Sequence, residues 1–156
     1  MVRLTDLDQA SREGMLNKVP TLPKFSGRPW VAGGALKKRR VAIVTTAGIH
    51  VRGDRPFGNG GMDYRVIPGE AGAADLVMSH TSVNFDRSGF QQDWNVAFPL
   101  DRLRELAVEG GIGSVAAFHY SFMGAASPVT LYEKKARELA ALLRQDRVDA
   151  VLLSPV

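Results

Sequence analysis

Val41-Ala-Ile-Val-Thr-Thr-Ala-Gly-Ile runs straight into His50, and the reading of this stretch decides the fold. It is a short apolar run, which reads as a buried parallel strand. Strands of that kind belong to parallel sheets covered by helices. The pattern recurs as Asp75-Leu-Val-Met-Ser before His80, Ser114-Val-Ala-Ala-Phe before His119, and Val148-Asp-Ala-Val-Leu-Leu-Ser-Pro before the last residue, Val156. In open α/β sheets the ligand crevice forms at the carboxyl ends of the strands. One edge is therefore predicted to gather three imidazoles and the end of the chain.

Working outward, Pro99-Leu-Asp-Arg-Leu-Arg-Glu-Leu-Ala-Val-Glu109 places Leu100, Leu103, Leu106 and Ala107 on one helical stripe. Asp101 suits the start of that helix and Gly110-Gly111 stops it. Ser127-Pro128 reads as an N-cap and first helical residue, after which Tyr132, Ala136, Leu139 and Leu143 line one face to about Gln145. This second helix joins the third and fourth strands as a right-handed crossover. Residues 41–156 are thus predicted to form an α/β domain: a mainly parallel sheet with flanking helices, Rossmann-like in three layers. Residues 1–40 precede it as a weak helix (Leu4, Leu7, Met15, Leu16, interrupted by Gly14) and a proline-rich extended arm, with Phe25 and Trp30 as its anchors. Two long loops, Gly53 to Tyr64, leading into the extended Tyr64-Arg-Val-Ile-Pro68, and the aperiodic Thr81 to Asn95, fall at the strand edge, where loops carry function.

Composition narrows the function classes. The chain has 156 residues and no cysteine, so it offers neither a disulfide nor a redox thiol of its own. Much of its net charge of +4 comes from Lys37-Lys38-Arg39-Arg40. Without aromatic interleaving, that run reads as a solvated loop rather than a nucleic-acid surface. No apolar run reaches the roughly twenty residues a bilayer needs, and Asp6, Asp8 and Glu13 stand where a signal peptide would be apolar, so a cytoplasmic address is expected. A phosphate cradle is not indicated. Thr45-Thr46-Ala47-Gly48 lacks the glycine spacing, and Gly58-Asn-Gly-Gly61 leads into an extended segment rather than a helix.

The three histidines admit several readings at this stage: loop anchors at strand ends, members of a catalytic site, or ligands of zinc or iron. For the last, Asp54, Asp75 and Asp86 lack convincing spacing, and no metal is assigned. Arg52, Arg55 and Arg87 in the edge loops have the forked geometry that clamps a carboxylate. Thr45, Thr46 and Ser154 either line the crevice or satisfy backbone groups, and Thr46 is counted with the substrate-binding candidates.

Six separated segments, in order, resemble one family: Val44-Thr-Thr-Ala-Gly-Ile-His50, Tyr64-Arg-Val-Ile-Pro-Gly69, Ser79-His80, Phe98-Pro-Leu-Asp-Arg-Leu-Arg-Glu-Leu-Ala107, His119-Tyr-Ser-Phe-Met-Gly124 and Val148-Asp-Ala-Val-Leu-Leu-Ser-Pro-Val156. The family is selenoprotein B of the glycine, sarcosine, betaine and D-proline reductases. The resemblance runs from about Arg40 to Val156. It implies a selenocysteine or cysteine directly after the position of Val156, with a second cysteine close behind. A UGA codon encodes selenocysteine as well as stop, so the expectation is the front part of a selenoprotein, the alternative being a short homologue without the redox centre. The resemblance also implies reductive C–N cleavage of a small amino acid, its nitrogen held by a pyruvoyl group on a partner subunit. A dithiol or a selenoprotein carrier supplies the electrons and ends as a disulfide. His119, ranked first, His80 and His50 are then the candidates to protonate the leaving nitrogen or hold the carboxylate. Thr81-Ser-Val-Asn-Phe-Asp86 departs from the glycine-rich continuation usual in the family after Ser-His, which puts the substrate in doubt. Two other functions remain open: a non-catalytic subunit that binds a small carboxylate, and a metal-dependent enzyme using the three histidines.

Overall fold

The computed structural model describes residues 3–24, 27, 31–58, 61–82, 87–124 and 129–156. The expectations placed on Phe25, Trp30, Asp86 and the Ser127-Pro128 cap lie outside the described residues. The chain divides into two compact units, Met1–Val31 and Ala32–Val156. In the first, helix α1 (Gln9–Lys18) forms despite Gly14, started by the Asp8 carboxylate accepting from Ser11 N–H, and buries none of its residues. Single 3₁₀ turns flank it at Leu4–Asp6 and Val19–Thr21.

The second unit runs β1 (Arg40–Thr45), β2 (Ile49–Val51), β3 (Tyr64–Pro68), β4 (Leu76–Met78), α2 (Ser88–Gln92), α3 (Leu100–Val108), β5 (Ser114–Val115), β6 (Phe118–Phe122), α4 (Tyr132–Gln145) and β7 (Ala150–Ser154). In the main sheet β1 is central. It pairs in parallel with β7 on one side and with β5 and then β6 on the other, and β3 closes the β6 edge antiparallel. The sheet is therefore mixed, not purely parallel. The expected second parallel strand, Asp75 to Ser79, is corrected: β4 pairs antiparallel with β2 in a separate two-stranded sheet. A short two-sided apolar run fixes neither the partner nor the direction of a strand, and here the turn at Gly48 sends the chain out of the main sheet. In the stretch expected as an aperiodic loop, Thr81 to Asn95, the described residues include α2 and the start of a 3₁₀ turn, Trp94–Val96, that buries the Trp94 ring.

Helices cover both faces of the sheet. On the α3 face, Val41 and Ile43 pack with Ile49, Phe98, Leu100 and Leu103. On the α4 face, Val44, Tyr120 and Phe122 meet Tyr132, Leu139 and Leu143. The stripes follow the 3.6-residue period, except that Leu106, expected on the buried face of α3, is exposed. The basic run before β1 is not simply solvated, since Arg39 pairs with Asp149 at 3.1 Å and Arg40 with Asp146 at 2.6 Å, tying β1 to the end of α4. No helix among the described residues is long and apolar enough to cross a membrane.

Candidate functional site

The carboxyl ends of β1 and β6 and the turn after β4 are joined backbone to backbone. Gly48 has φ +64°, donates its N–H to the Phe122 carbonyl at 2.8 Å and accepts from Ser79 N–H at 2.9 Å. A Cβ on Gly48 would lie 2.9 Å from the backbone of His80, so only glycine fits. Gly124, at φ +80°, approaches Thr46 in the same way: a Cβ there would sit 2.6 Å from the Thr46 carbonyl oxygen. The Thr81 hydroxyl reaches Met123 Sδ at 3.2 Å and closes the ring of contacts.

The chain returns to this edge through β7. Thr45 Oγ1 lies 3.1 Å from the Ala97 carbonyl and 3.0 Å from that of Ser154, and Ser154 Oγ donates to Ala97 O at 3.0 Å. Thr46 grips the last residue, with Val156 N–H donating to Oγ1 at 3.0 Å and Oγ1 donating to the Val156 carbonyl at 3.3 Å. Thr46, expected at the substrate, thus holds main chain.

The histidines occupy three different settings. His119 is not at a strand end; it is the second residue of β6 and fully buried. Between β5 and β6 the register against β1 shifts by two residues, which takes the neighbouring strand's backbone acceptor away from Ile43 N–H. His119 Nδ1 accepts that N–H at 2.9 Å, while Phe98 stacks edge-on against the ring at 5.7 Å. Burial, reinforced by the charge of Arg104, lowers its pKa from 6.5 to about 4. A neutral imidazole filling a gap in a sheet ladder is an anchor, and its first rank as proton donor is withdrawn. The sheet break has a second prop: Asp146 accepts from Ala117 N–H at 2.8 Å and Phe118 N–H at 3.2 Å. Burial opposes the charge of Asp146, but Arg40 and these donors outweigh it, and its pKa falls below the ordinary value.

His50 lies inside β2 opposite Val77, with Nδ1 at 2.9 Å from the Val51 carbonyl and its ring edge-on to Phe57. Only His80 sits where the parallel strands end. Its Nδ1 accepts Ser82 N–H at 3.1 Å, which leaves the proton of the neutral ring on Nε2, and its carbonyl accepts from the Arg87 guanidinium. Burial first, then the charge of Arg87, lowers its pKa. Among the described residues no three His, Asp or Glu side chains are grouped to hold a metal ion, so the histidines do not assemble the metal site that one reading required.

The arginines divide as well. Arg52 and Arg87 line one pocket of about 270 Å³ with Met78, Phe90 and Gln91. Arg52 Nε donates to the Ala74 carbonyl at 3.1 Å, and Arg87 braces the turn through the carbonyls of His80 and Ser82. Arg55 is elsewhere, exposed and 3.8 Å from Asp63. Asp54 and Asp75 are used locally, on the N–H groups of Arg55 and Gly72. Sequence reasoning missed Arg65. Its guanidinium lies 4.5 Å above the Phe57 ring and donates to the carbonyls of Arg55 and Pro56, pinning the loop after β2. The available signal was its place in Tyr64-Arg-Val-Ile, on the face it shares with Ile67.

Residues 18–156 match the glycine/sarcosine/betaine reductase selenoprotein B family. The chain is 39% identical over 121 residues to the D-proline reductase subunit gamma of Acetoanaerobium sticklandii, an alignment covering 76% of this chain and 49% of that protein. It is 30% identical over 128 residues to the betaine reductase complex component B subunit beta of Peptoclostridium acidaminophilum, covering 76% and 28%. Against the glycine reductase complex component B subunit gamma of Carboxydothermus hydrogenoformans the identity is 31% over 124 residues, again covering 76% and 28%. The chain thus spans about half the length of one of these relatives and less of the others. No solved structure matches it. With the matched region taking in the whole sheet and its carboxyl edge, the chain belongs to the glycine/sarcosine/betaine reductase selenoprotein B family.

Proposed function

We propose that this chain is the substrate-binding and nucleophile-presenting half of an amino-acid reductase component, with the reactive selenocysteine or cysteine following Val156. The observation that carries the reading is the grip of Thr46 on both main-chain groups of Val156, beside the ends of β1 and β6. A residue placed next along the chain leaves the sheet at the crevice that parallel α/β folds use for ligands. A chalcogen anion there supplies a nucleophile for the α-carbon of a small amino acid. In the overall change the C–N bond breaks, two protons enter, and a dithiol gives up two electrons to become a disulfide.

This chain's own residues have three tasks. His80 keeps a proton on Nε2 at the strand ends and serves as a hydrogen-bond donor toward the substrate, not as its acid. Arg52 and Arg87 share a pocket with apolar walls and receive the carboxylate. Gly48 and Gly124 let the backbones close around the edge. A pyruvoyl group, where used, is carried by a partner subunit.

The test is to read the gene beyond the codon for Val156 and assay the continued protein. An in-frame cysteine pair supports the reading if, in the presence of the partner subunit, the protein shows dithiol-dependent amine release from glycine, sarcosine or betaine, or dithiol-dependent ring opening of D-proline to a single 5-amino acid. An unrelated frame removes it. The Arg52 and Arg87 pocket favours a second reading, a non-catalytic subunit for a small carboxylate, which requires saturable carboxylate binding without turnover by any longer form.

A further inference from the structure

We propose that the open edge of the main sheet is a docking surface for the next unit of the same polypeptide: a crossover helix seated in the apolar cleft beside α4, then a strand paired in parallel with β7. The inference rests on the reading that the polypeptide continues past Val156.

The edge itself is the first argument. β7 pairs with β1 from Ala150 to Ser154, and among the described residues no strand pairs with its other side. Thr46 N–H takes the Ser154 carbonyl, so by the alternation of a parallel ladder the N–H and C=O groups of Val151 and Leu153 face the open edge. Edge strands that stay edges carry charge, proline or a bulge against further pairing. Ala150-Val-Leu-Leu-Ser154 has none of these. Val151, Leu152 and Leu153 are 40, 38 and 69% exposed, an apolar surface on both faces such as interior parallel strands bury.

The cleft is the second. It holds about 540 Å³ between α4 and the sheet, walled by Val44, Val151 and Leu153 on the sheet and Ala136, Ala140 and Leu143 on the helix. Alanines spaced one turn apart on α4 allow a neighbouring helix to approach closely.

Handedness then says which element fills it. The chain passes from β1 to β6 by way of α3 on one face and from β6 to β7 by way of α4 on the other. A parallel strand added outside β7 continues in the direction from β6 to β7, so a right-handed crossover places its helix on the α4 face, over this cleft. The chain spans 49% of the D-proline reductase relative, so that protein has ample length for such a unit.

The experiment compares the 156-residue chain with a longer protein in which the codon after Val156 is cysteine and translation continues to the next stop. Hydrogen exchange is read at the amides of Val151 and Leu153, with Ile43 as the internal reference. Protection of both amides by about a hundredfold in the longer protein alone, lost again in Leu153→Glu while Ile43 stays protected, is the expected result. Fast exchange at β7 in a longer protein that protects Ile43 overturns docking while leaving the reductase reading intact. Absence of any in-frame continuation overturns both. Protection of β7 in the short chain, together with sedimentation as a dimer, assigns the edge to a second copy instead and also overturns the proposal. An independent check needs no longer protein: the short chain binds an apolar fluorescent dye such as anilinonaphthalene sulfonate and Leu153→Glu abolishes that binding, whereas failure to bind it sinks the idea.

Discussion

The two faces of the main sheet are finished to different degrees. On the α3 face Ile43, Ile49, Ile67, Phe98 and Leu100 are fully buried, Thr45 and Ser121 are hydrogen-bonded, and His119 is bonded through Nδ1 while its buried Nε2 has no partner. On the α4 face Tyr120, Phe122 and Leu139 are buried, but the packing gives out toward β7, where Leu153 stands largely in solvent. One face is a closed core that holds the carboxyl edge of the sheet in place; the other is open beside β7. The fold stability of this chain is accordingly concentrated on the α3 side.

Substitutions at Phe98 and Leu153 should break or uphold that comparison most plainly. Phe98→Ala is expected to cost about 3–5 kcal/mol. Leu153→Ala is expected to cost less than about 1 kcal/mol, because little apolar surface is withdrawn from water there. Urea denaturation of the two variants measures the difference directly, and equal losses would mean that the α4 face is as closed as the other.

The next effect is acid sensitivity through His119. Its folded-state pKa of about 4 lies below the ordinary 6.5, so the unfolded chain takes up a proton that the folded chain refuses. The stabilisation from this group is complete above the unfolded value and is lost as pH falls from 6.5 toward 4, reaching at most about 3 kcal/mol. His119→Gln should flatten the stability profile across that window. A profile unchanged by the substitution would show that the imidazole titrates freely and is no anchor.

Smaller again is the arginine pocket. If Arg52 and Arg87 both contact a bound carboxylate, each alanine substitution should weaken binding of a small amino acid by about tenfold, and Arg55→Ala should leave it unchanged. Isothermal titration separates the three, and equal losses at all three positions would point to general charge rather than a shared pocket.

How far the sequence reveals this arrangement depends on the kind of signal. α3 and α4 are legible because burial along one stripe leaves a 3.6-residue period, and β1 because burial on both faces leaves an unbroken apolar run; β7 carries the same kind of run, though its apolar residues are exposed in this chain. β4 is misread because an apolar run of three to five residues looks the same in a parallel sheet and in an antiparallel hairpin. His119 is misplaced for a different reason. Ser114-Val-Ala-Ala-Phe looks continuous, yet the strand breaks at Ala116 and resumes at Phe118, and the histidine fills the backbone gap so created. That role belongs to the register between β1 and its neighbour and is invisible in either strand alone. The convergence of Arg52 with Arg87, and the glycine contacts of Gly48 with His80 and of Gly124 with Thr46, likewise arise only when distant segments meet.

Thr45 and Thr46 carry the comparison down to two adjacent residues of identical chemistry. Thr45 faces the closed side, where its hydroxyl meets the Ala97 and Ser154 carbonyls and accepts Ala47 N–H at 3.2 Å. Thr46 faces the open side, where its bonds to Val156 are exposed to solvent. Replacing Thr45 by valine keeps the shape but leaves buried groups unpaired, at a cost of about 1–3 kcal/mol. Thr46→Val exposes its former partners to water, which satisfies them, so the loss should stay below about 1 kcal/mol. Its consequence lies in geometry rather than stability. With the grip removed, the main chain beyond β7 is no longer fixed against the end of β1, and in a continued protein the alkylation rate of the thiol after Val156 should change while the unfolding midpoint hardly moves. If the midpoint falls and thiol reactivity stays constant, Thr46 belongs to the core like its neighbour, and the boundary between the two faces does not run between them.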